Sequence, residues 1–269
     1  MKNHSVKHAR RTSGAVGYRT PSRLRIFRKG EKFSVQTKTA RYKTIVVSLG
    51  GSLVVPANSG PDTAFLKRFS ECVRTHVRAG YRFVIVSGGG KTARLYIDSA
   101  RKIQGITRDD LDWIGIHATR LNAHLLRTIF RDIAHPRVFR NPNHIPNPLP
   151  NQVTIAAGWK PGWSTDYVAV RIARGIGAKA VVNLSNVDFL YDKDPNKHKN
   201  AKKIKEISWE DYRKMVGDEW DPGLNLPFDP VASRLAQRSG LQVALIGGKN
   251  LENIDKFIKG EDFLGTLMR

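Results

Sequence analysis

The sequence has one cysteine, few acids and no long apolar run. A lone cysteine excludes any intramolecular disulfide. Its setting, the apolar pattern Phe65, Leu66, Phe69, Cys72, Val73, marks Cys72 as a small core residue rather than a nucleophile. No stretch reaches the about 18 to 20 uninterrupted apolar residues that span a bilayer, and no basic-then-apolar signal segment opens the chain. Membrane insertion is therefore not expected, and a reducing, cytoplasmic setting is. The shortage of acids is severe: 23 Asp and Glu stand against 46 Lys and Arg, a formal net charge of +23 over 269 residues.

That imbalance is concentrated. Residues 1–43 carry thirteen Lys or Arg and one acid, Glu31, for a net charge of +12. This segment lacks apolar periodicity, contains Gly14, Gly17, Pro21 and Gly30, and reads as a basic, flexible extension with no core of its own. It would screen nucleic-acid phosphates as a weak contact, or be a solvated tail without a specific partner. Tyr18, Phe27 and Phe33 within it would stack on bases or pack onto the body.

From residue 44 to 269, short β-branched runs alternate with amphipathic segments, as in an α/β domain with a mainly parallel sheet. Strands are expected near Thr44 to Leu49, Arg82 to Ser87, Gln152 to Ala156, Ala180 to Leu184 and Gln242 to Ile246. Helices are expected over Pro61 to Ala79, Lys91 to Gln104, Asp109 to Phe130, Asp166 to Gly175, Ser208 to Val216, Pro230 to Arg238 and Leu251 to Ile258. Two irregular stretches, His135 to Asn151 and Gly217 to Pro227, are rich in proline and read as surface connections without a catalytic role.

Four segments carry chemistry. In TIVVSLGGS (Thr44 to Ser52) and FVIVSGGGKTAR (Phe83 to Arg94) an apolar strand stops at glycines, whose backbone can approach a phosphate closely and offer it successive N–H groups. The third, GWKPGWSTD (Gly158 to Asp166), follows a strand and enters a helix; Ser164 and Thr165 would hold a phosphate there, with Asp166 orienting charge. The fourth, LSNVDFLYDKDP (Leu184 to Pro195), puts polar groups at a strand's C-terminal end, where open α/β sheets bind ligands. Plainer readings stand beside these: glycines that merely end strands, Ser164 as a helix cap, Asp112 as a first-turn carboxylate and Tyr191 as a sheet-edge aromatic.

In this order the motifs resemble the amino-acid kinase superfamily, and within it the archaeal type of uridylate kinase. The likeness runs from Thr44 to Met268. It rests on GGS (Gly50 to Ser52), GGGKTAR (Gly88 to Arg94), DWIGIHATRLNA (Asp112 to Ala123), PGWSTD (Pro161 to Asp166) and NVDFLYDKDP (Asn186 to Pro195), with AKKIKEIS (Ala201 to Ser208) and GTLM (Gly265 to Met268) in support. The resemblance implies a three-layer αβα fold and direct transfer of the ATP γ-phosphoryl group to UMP, with Mg²⁺, in a homo-oligomer, usually a hexamer. Phosphoryl transfer of that kind needs positioning and charge neutralisation more than a nucleophilic side chain.

By the same resemblance, Gly50, Gly51, Ser52, Gly90 and Arg94 would contact the ATP phosphates, and Ser185, Tyr191 and Asp194 would line the rest of the ATP pocket. Gly89 and the loop Trp159, Lys160, Pro161, Gly162, Trp163, Ser164 and Thr165 would wrap UMP, whose ribose hydroxyls would bond Asp112. Asp166 would order the catalytic charges. Two departures bear on this. Ser48 stands where much of the superfamily has lysine, so Lys91 or Lys202 would have to supply the missing cation. Phe189 stands where the family often has glycine, which would reshape the nucleotide pocket. A catalytically impaired nucleotide-binding relative, with Ser48 as its symptom, and an RNA-binding factor acting through residues 1–43 are the alternatives.

Overall fold

The computed structural model describes residues 25–26, 43–193, 195, 197–217 and 227–269. Asp194, Trp220 and all of the basic extension except Arg25, Ile26 and Lys43 lie outside these residues.

Strand formation follows the apolar runs. β1 (Arg25–Ile26), β2 (Thr44–Leu49), β3 (Arg82–Ser87), β4 (Val153–Ala156), β5 (Ala180–Ser185), β6 (Leu190–Tyr191), β7 (Lys203–Ile207), β8 (Gln242–Gly247) and β9 (Thr266–Met268) form one sheet. Its order is β1-β7-β9-β8-β5-β2-β3-β4, with β6 paired to β7 beside this path. The inner strands β8, β5, β2, β3 and β4 run parallel, in register from Val46 against Val181 on one side and Val84 on the other. Antiparallel pairing is confined to the β1–β7, β6–β7 and β8–β9 contacts.

The helices are α1 (Gly51–Val54), α2 (Thr63–Arg78), α3 (Gly90–Ala100), α4 (Arg108–Ile129), α5 (Thr165–Gly175), α6 (Trp209–Val216), α7 (Pro230–Arg238) and α8 (Glu252–Lys259). Most begin at a side-chain cap: Asp62, Ser164, Ser208 and Asp229 each accept a bond from an amide three residues on, and Thr107 forms a reciprocal capping box with Asp110. These caps satisfy amides that the first helical turn leaves unpaired.

The period-2 alternation of strand side chains divides the core in two. Ile45, Val47 and Leu49 of β2 join the side chains of α2, α4 and α8, where Phe65, Phe69, Leu126 and Phe257 are buried. Val46 faces the other way, toward α5, α6 and α7, with Ile172, Trp209, Tyr212 and Phe228. The αβα expectation is met. The same alternation turns Ser48 toward α5, on the side away from Leu49. Cys72 is half-buried against the first core, and burial followed by the charge of Asp255 pushes its thiol up to about 11, which removes it as a nucleophile at neutral pH.

The five expected strands and seven expected helices form, with ends moved by a few residues. Four short strands and α1 were not expected: β1 is two residues of the segment read as an extension, and β6, β7 and β9 fill the β7–β9 side of the sheet. His135 to Asn151 is irregular, as expected, yet it touches β4 through a bridge at Phe139–Ala156, next to another at Ala134–Val153 just before it.

Backbone packs closely against backbone between the loops after β2 and β3. A Cβ on Gly51 would stand 2.1 Å from the amide nitrogen of Gly90, and one on Gly90 would stand 2.2 Å from the carbonyl oxygen of Gly51. Gly90 also has φ +63°, a left-handed conformation that costs a side-chain-bearing residue about 1–2 kcal/mol on its own. Gly90→Ala is therefore expected to destabilise the fold by roughly 3 kcal/mol or more, since clash and strain add. Urea unfolding tests this, and an unchanged midpoint would show that the two loops do not constrain each other.

Candidate active site

The C-terminal ends of β2, β3, β4 and β5 meet at one edge of the parallel sheet, where the strand carbonyls give way to loops and helix starts. The first glycine loop is tied down by Gly50, whose amide donates to Leu184 of β5 at 2.8 Å. The second is tied by Gly88 to Leu49 at 2.9 Å and by Lys91 to Val55 at 2.9 Å. Among the described residues, the amides of Gly89 and Gly90 meet no protein acceptor. Next to them opens a cavity of about 330 Å³. Gly51, Gly89, Gly90 and Arg94 wall one side, and Asp112 with Trp163, Ser164 and Thr165 wall the other. Residues read from three separate motifs thus share one space.

The third motif is held in place by α4. Thr119 Oγ1 accepts the amide of Gly158 at 2.8 Å, an Arg120 Nη donates to the carbonyl of Trp159 at 3.2 Å, and Asp112 Oδ2 accepts the amide of Gly162 at 2.7 Å. Asn122 of the same helix donates to the carbonyls of Gly88 and Gly89. Asp112 is therefore buried and bonded to the loop it faces, more than a first-turn carboxylate. The loop itself carries an aromatic stack: Trp163 lies 4.0 Å from Tyr167 and 6.1 Å from Trp159, and Lys160 Nζ sits 4.6 Å over the Trp159 ring. Trp159, Lys160, Pro161 and Gly162 support this stack outside the cavity wall, while Trp163 enters it.

Ser164 takes its plainer reading as a helix cap, and it also lines the cavity. Its hydroxyl oxygen caps α5 by accepting the amide of Tyr167 at 3.1 Å, and its hydroxyl also bonds the carboxylate of Asp229. Two residues on, in the first turn of α5, stands Asp166. Ser48 Oγ donates to Asp166 Oδ1 at 2.7 Å, and the amide of Asp229 donates to Oδ2 at 3.3 Å. Burial pushes the Asp166 carboxyl up to about 7, the neighbouring charge of Asp229 adds to the rise, and the Ser48 bond opposes it. Asp229 is raised as well, mainly by burial, against bonds from Ser164 and the amides of Val231 and Ala232. Two carboxylates of raised proton affinity thus sit beside the first glycine loop, joined through Ser48 to the strand that leads into it.

A profile of the Amino acid kinase family matches residues 43–247. The chain belongs to the amino acid kinase family. Among its relatives are proteins named uridylate kinase from Hyperthermus butylicus, 34% identical over 225 residues, and from Pyrococcus abyssi, 35% identical over 219 residues. These alignments take in 83% and 81% of this chain and 97% and 96% of the relatives. The crystal structure of uridylate kinase from Archaeoglobus fulgidus superposes with a TM-score of 0.72 at 33% identity, over 84% of this chain and 99% of that one. UMP kinase from Bacillus anthracis, 21% identical with a TM-score of 0.68, shares the fold.

On the β5 side of this family fold lie the residues of the fourth motif. Ser185 accepts the amide of Gly248 on its carbonyl at 2.8 Å, and its hydroxyl lies 3.4 Å from Asn186 Oδ1. Tyr191 is half-buried, its phenol raised by burial and then by the charge of Asp188. Ser52 and Arg94 approach to 3.4 Å and line a second cavity of about 280 Å³ with Asn186, Gly248 and Lys249. Arg94 therefore belongs to both cavities. Lys91 is partly exposed, and Lys202 is exposed with its amide on Asp192 at 2.7 Å. Among the described residues neither forms an ion pair with Asp166. Phe189 is buried, with Lys203 Nζ 4.6 Å over its ring.

Sequence reasoning missed Asp229, Thr119, Arg120 and Asn122 as individual contributors. Asp229 offered only the Asp-Pro pair of a helix start, and the other three stood within ATRLNA, a segment noticed as a unit. The raised Asp166 carboxyl has a consequence for stability. Because it keeps its proton in the folded protein where the unfolded chain has lost it, stability falls as pH rises from about 4 to about 7 and levels off above. Asp166→Asn removes this loss. Its thermal midpoint should exceed that of the parent protein by more at pH 8 than at pH 5, and an equal difference at both would contradict the burial of the charge.

Proposed function

We infer that this protein transfers the γ-phosphoryl group of ATP to UMP, giving UDP and ADP. The observation that carries this reading is the single cavity in which Gly89, Gly90 and Arg94 face Asp112 and Trp163 to Thr165. It has a phosphate-binding wall and a polar, aromatic wall suited to a nucleoside monophosphate, in a chain about one-third identical to proteins named uridylate kinase over most of its length.

In this reading the backbone amides of Gly51 and Ser52 meet the transferring phosphoryl region, while the Gly50 amide, expected to join them, is held by the carbonyl of Leu184 and anchors the loop. Gly89 holds the UMP phosphate, while Gly90 and the forked guanidinium of Arg94, which reaches both cavities, bind ATP phosphates. Asp112, held against the loop by the Gly162 amide, bonds the ribose hydroxyls. Trp159 to Thr165 wrap UMP, and Ser185, Tyr191 and Asp194 receive the adenosine. With donor and acceptor held in line, the UMP phosphate oxygen attacks the γ-phosphorus and the bond to the ADP oxygen breaks, without a phosphorylated enzyme.

Asp166 orders the charges. Its proton affinity near neutrality suits a carboxylate that ionises fully when a cation arrives. Asp166 and Asp229 fit magnesium as hard oxygen donors, and the ion needs few protein ligands when phosphates supply the others. Magnesium carried in with ATP would neutralise phosphate charge during transfer. Ser48 cannot supply a cation, and Lys91 or Lys202 takes that part once nucleotide is bound.

We place the protein in the cytoplasm as a homo-oligomer, hexameric as the family resemblance implies. Exposed Leu95, Tyr96, Ile103, Trp113 and Leu121 on and between α3 and α4 supply an apolar surface for such an assembly. Among the described residues no helix is long and apolar enough to cross a membrane.

The test is a coupled ADP-release assay with Mg-ATP and a panel of UMP, CMP, dUMP, carbamate and acetylglutamate. UMP-dependent turnover is expected, with a loss of at least about 100-fold in Asp166→Asn and of about 10-fold or more in Lys91→Met or Lys202→Met, the scale of a lost charge in the transition state. ATP binding without turnover on any acceptor would instead identify a non-catalytic nucleotide-binding relative.

A further inference from the structure

Asn122 is the one polar side chain of α4 directed at the second glycine loop rather than at the third motif. It lies near the middle of the helix and is 3% exposed. Its Nδ2 donates to the carbonyl of Gly88 at 2.9 Å and to that of Gly89 at 3.1 Å. Both neighbours are acceptors only, so the amide group has a single orientation that satisfies them, with nitrogen toward the loop.

Two consequences follow from peptide geometry. A carbonyl and the amide of the next residue belong to one rigid plane and point in opposite directions. Drawing the carbonyls of Gly88 and Gly89 toward α4 therefore turns the amides of Gly89 and Gly90 away from it, and these amides have no protein acceptor among the described residues. Glycine has no Cβ to hold such a plane in place, and Gly88, Gly89 and Gly90 stand in sequence. The ends of the loop are tied by the amides of Gly88 and Lys91, and the Gly89 carbonyl also accepts the Ala93 amide at 3.4 Å; Asn122 adds the side-chain tie that sets the two peptide planes between those ends.

We propose that Asn122 is a positioning residue that fixes the peptide planes of the second glycine loop so that its amides stand ready for phosphate oxygens. This rests on the phosphate-binding part of the function inferred above, but not on UMP being the acceptor. Asn122 touches no substrate; it acts through the loop. Preorganised amides cost no reorientation when an anion binds, and the same loop left free would bind phosphate more weakly by the cost of ordering it.

The role separates from simple space-filling by chemistry at constant volume. Asn122→Leu fills the site without a donor, whereas Asn122→Ser leaves space but keeps one hydroxyl donor. Binding of inorganic tripolyphosphate is measured by calorimetry on the full chain, alongside the thermal midpoint. The proposal expects Asn122→Leu to bind at least 10-fold more weakly than the parent protein and Asn122→Ser to lose less, with both variants folded. Leu binding tripolyphosphate as tightly as the parent, or Ser binding more weakly than Leu, would overturn it. Because the probe carries no nucleoside, absence of UMP turnover with intact tripolyphosphate binding would count against the uridylate kinase reading alone.

Discussion

The close passage of two backbone loops organises this molecule. Gly51 and Gly90 come so near that neither position has room for a single methyl group, and the contact lies where β2 and β3 end side by side. Parallel strands place their C-terminal ends together, so the loops that follow them compete for the same volume. Glycine resolves that competition and leaves peptide groups, rather than side chains, lining the resulting space. A surface of exposed peptide groups, of the kind that can receive a phosphate, is thus a by-product of how two adjacent parallel strands are allowed to end.

Around this contact the other parts of the site are arranged by α4 and α5 from opposite faces of the sheet. α4 reaches the glycine loop through Asn122 and the third motif through Asp112, Thr119 and Arg120, so one rigid element sets the spacing of both cavity walls. α5 brings Asp166 against Ser48, and the Asp229 cap of α7 completes the acidic pair. Capping and chemistry are not alternatives here. Ser164 and Asp229 start helices and shape the charge of the site with the same atoms, since a helix start is already a place of unpaired amides and concentrated dipole.

Where a signal was local, the sequence disclosed it. The inner strands are continuous apolar runs because both of their faces are buried, and they form within two residues of the expected bounds. β6, β7 and β9 were not legible for the opposite reason. Lys203–Ile207 mixes two lysines and a glutamate with two isoleucines, and Thr266–Met268 is too short to show a period; each becomes a strand through pairing with the other, 61 residues away, and Thr266–Met268 through β8 as well. The site divides in the same manner. Glycine loops and the PGWSTD turn are visible because backbone geometry restricts composition. Asp229 and Asn122 are not, because their roles exist only once α7 and α4 have docked against segments 63 and 34 residues distant.

The two margins of the sheet differ from its interior in one respect that bears on how copies of the chain can meet. At one margin Arg25–Ile26 lies antiparallel along β7, pairing at Glu206 and Ile204. At the other, bridges from Ala134 and Phe139 run along β4 at Val153 and Ala156. Exposed ladder groups are the usual template for adding a foreign strand. With both margins partly occupied by the chain's own irregular segments, the ladder groups of β7 and β4 are less open to a foreign strand. The short strand contributed by the basic segment thereby acts as a selvedge: two residues of hydrogen bonding laid along the margin of a nine-stranded sheet.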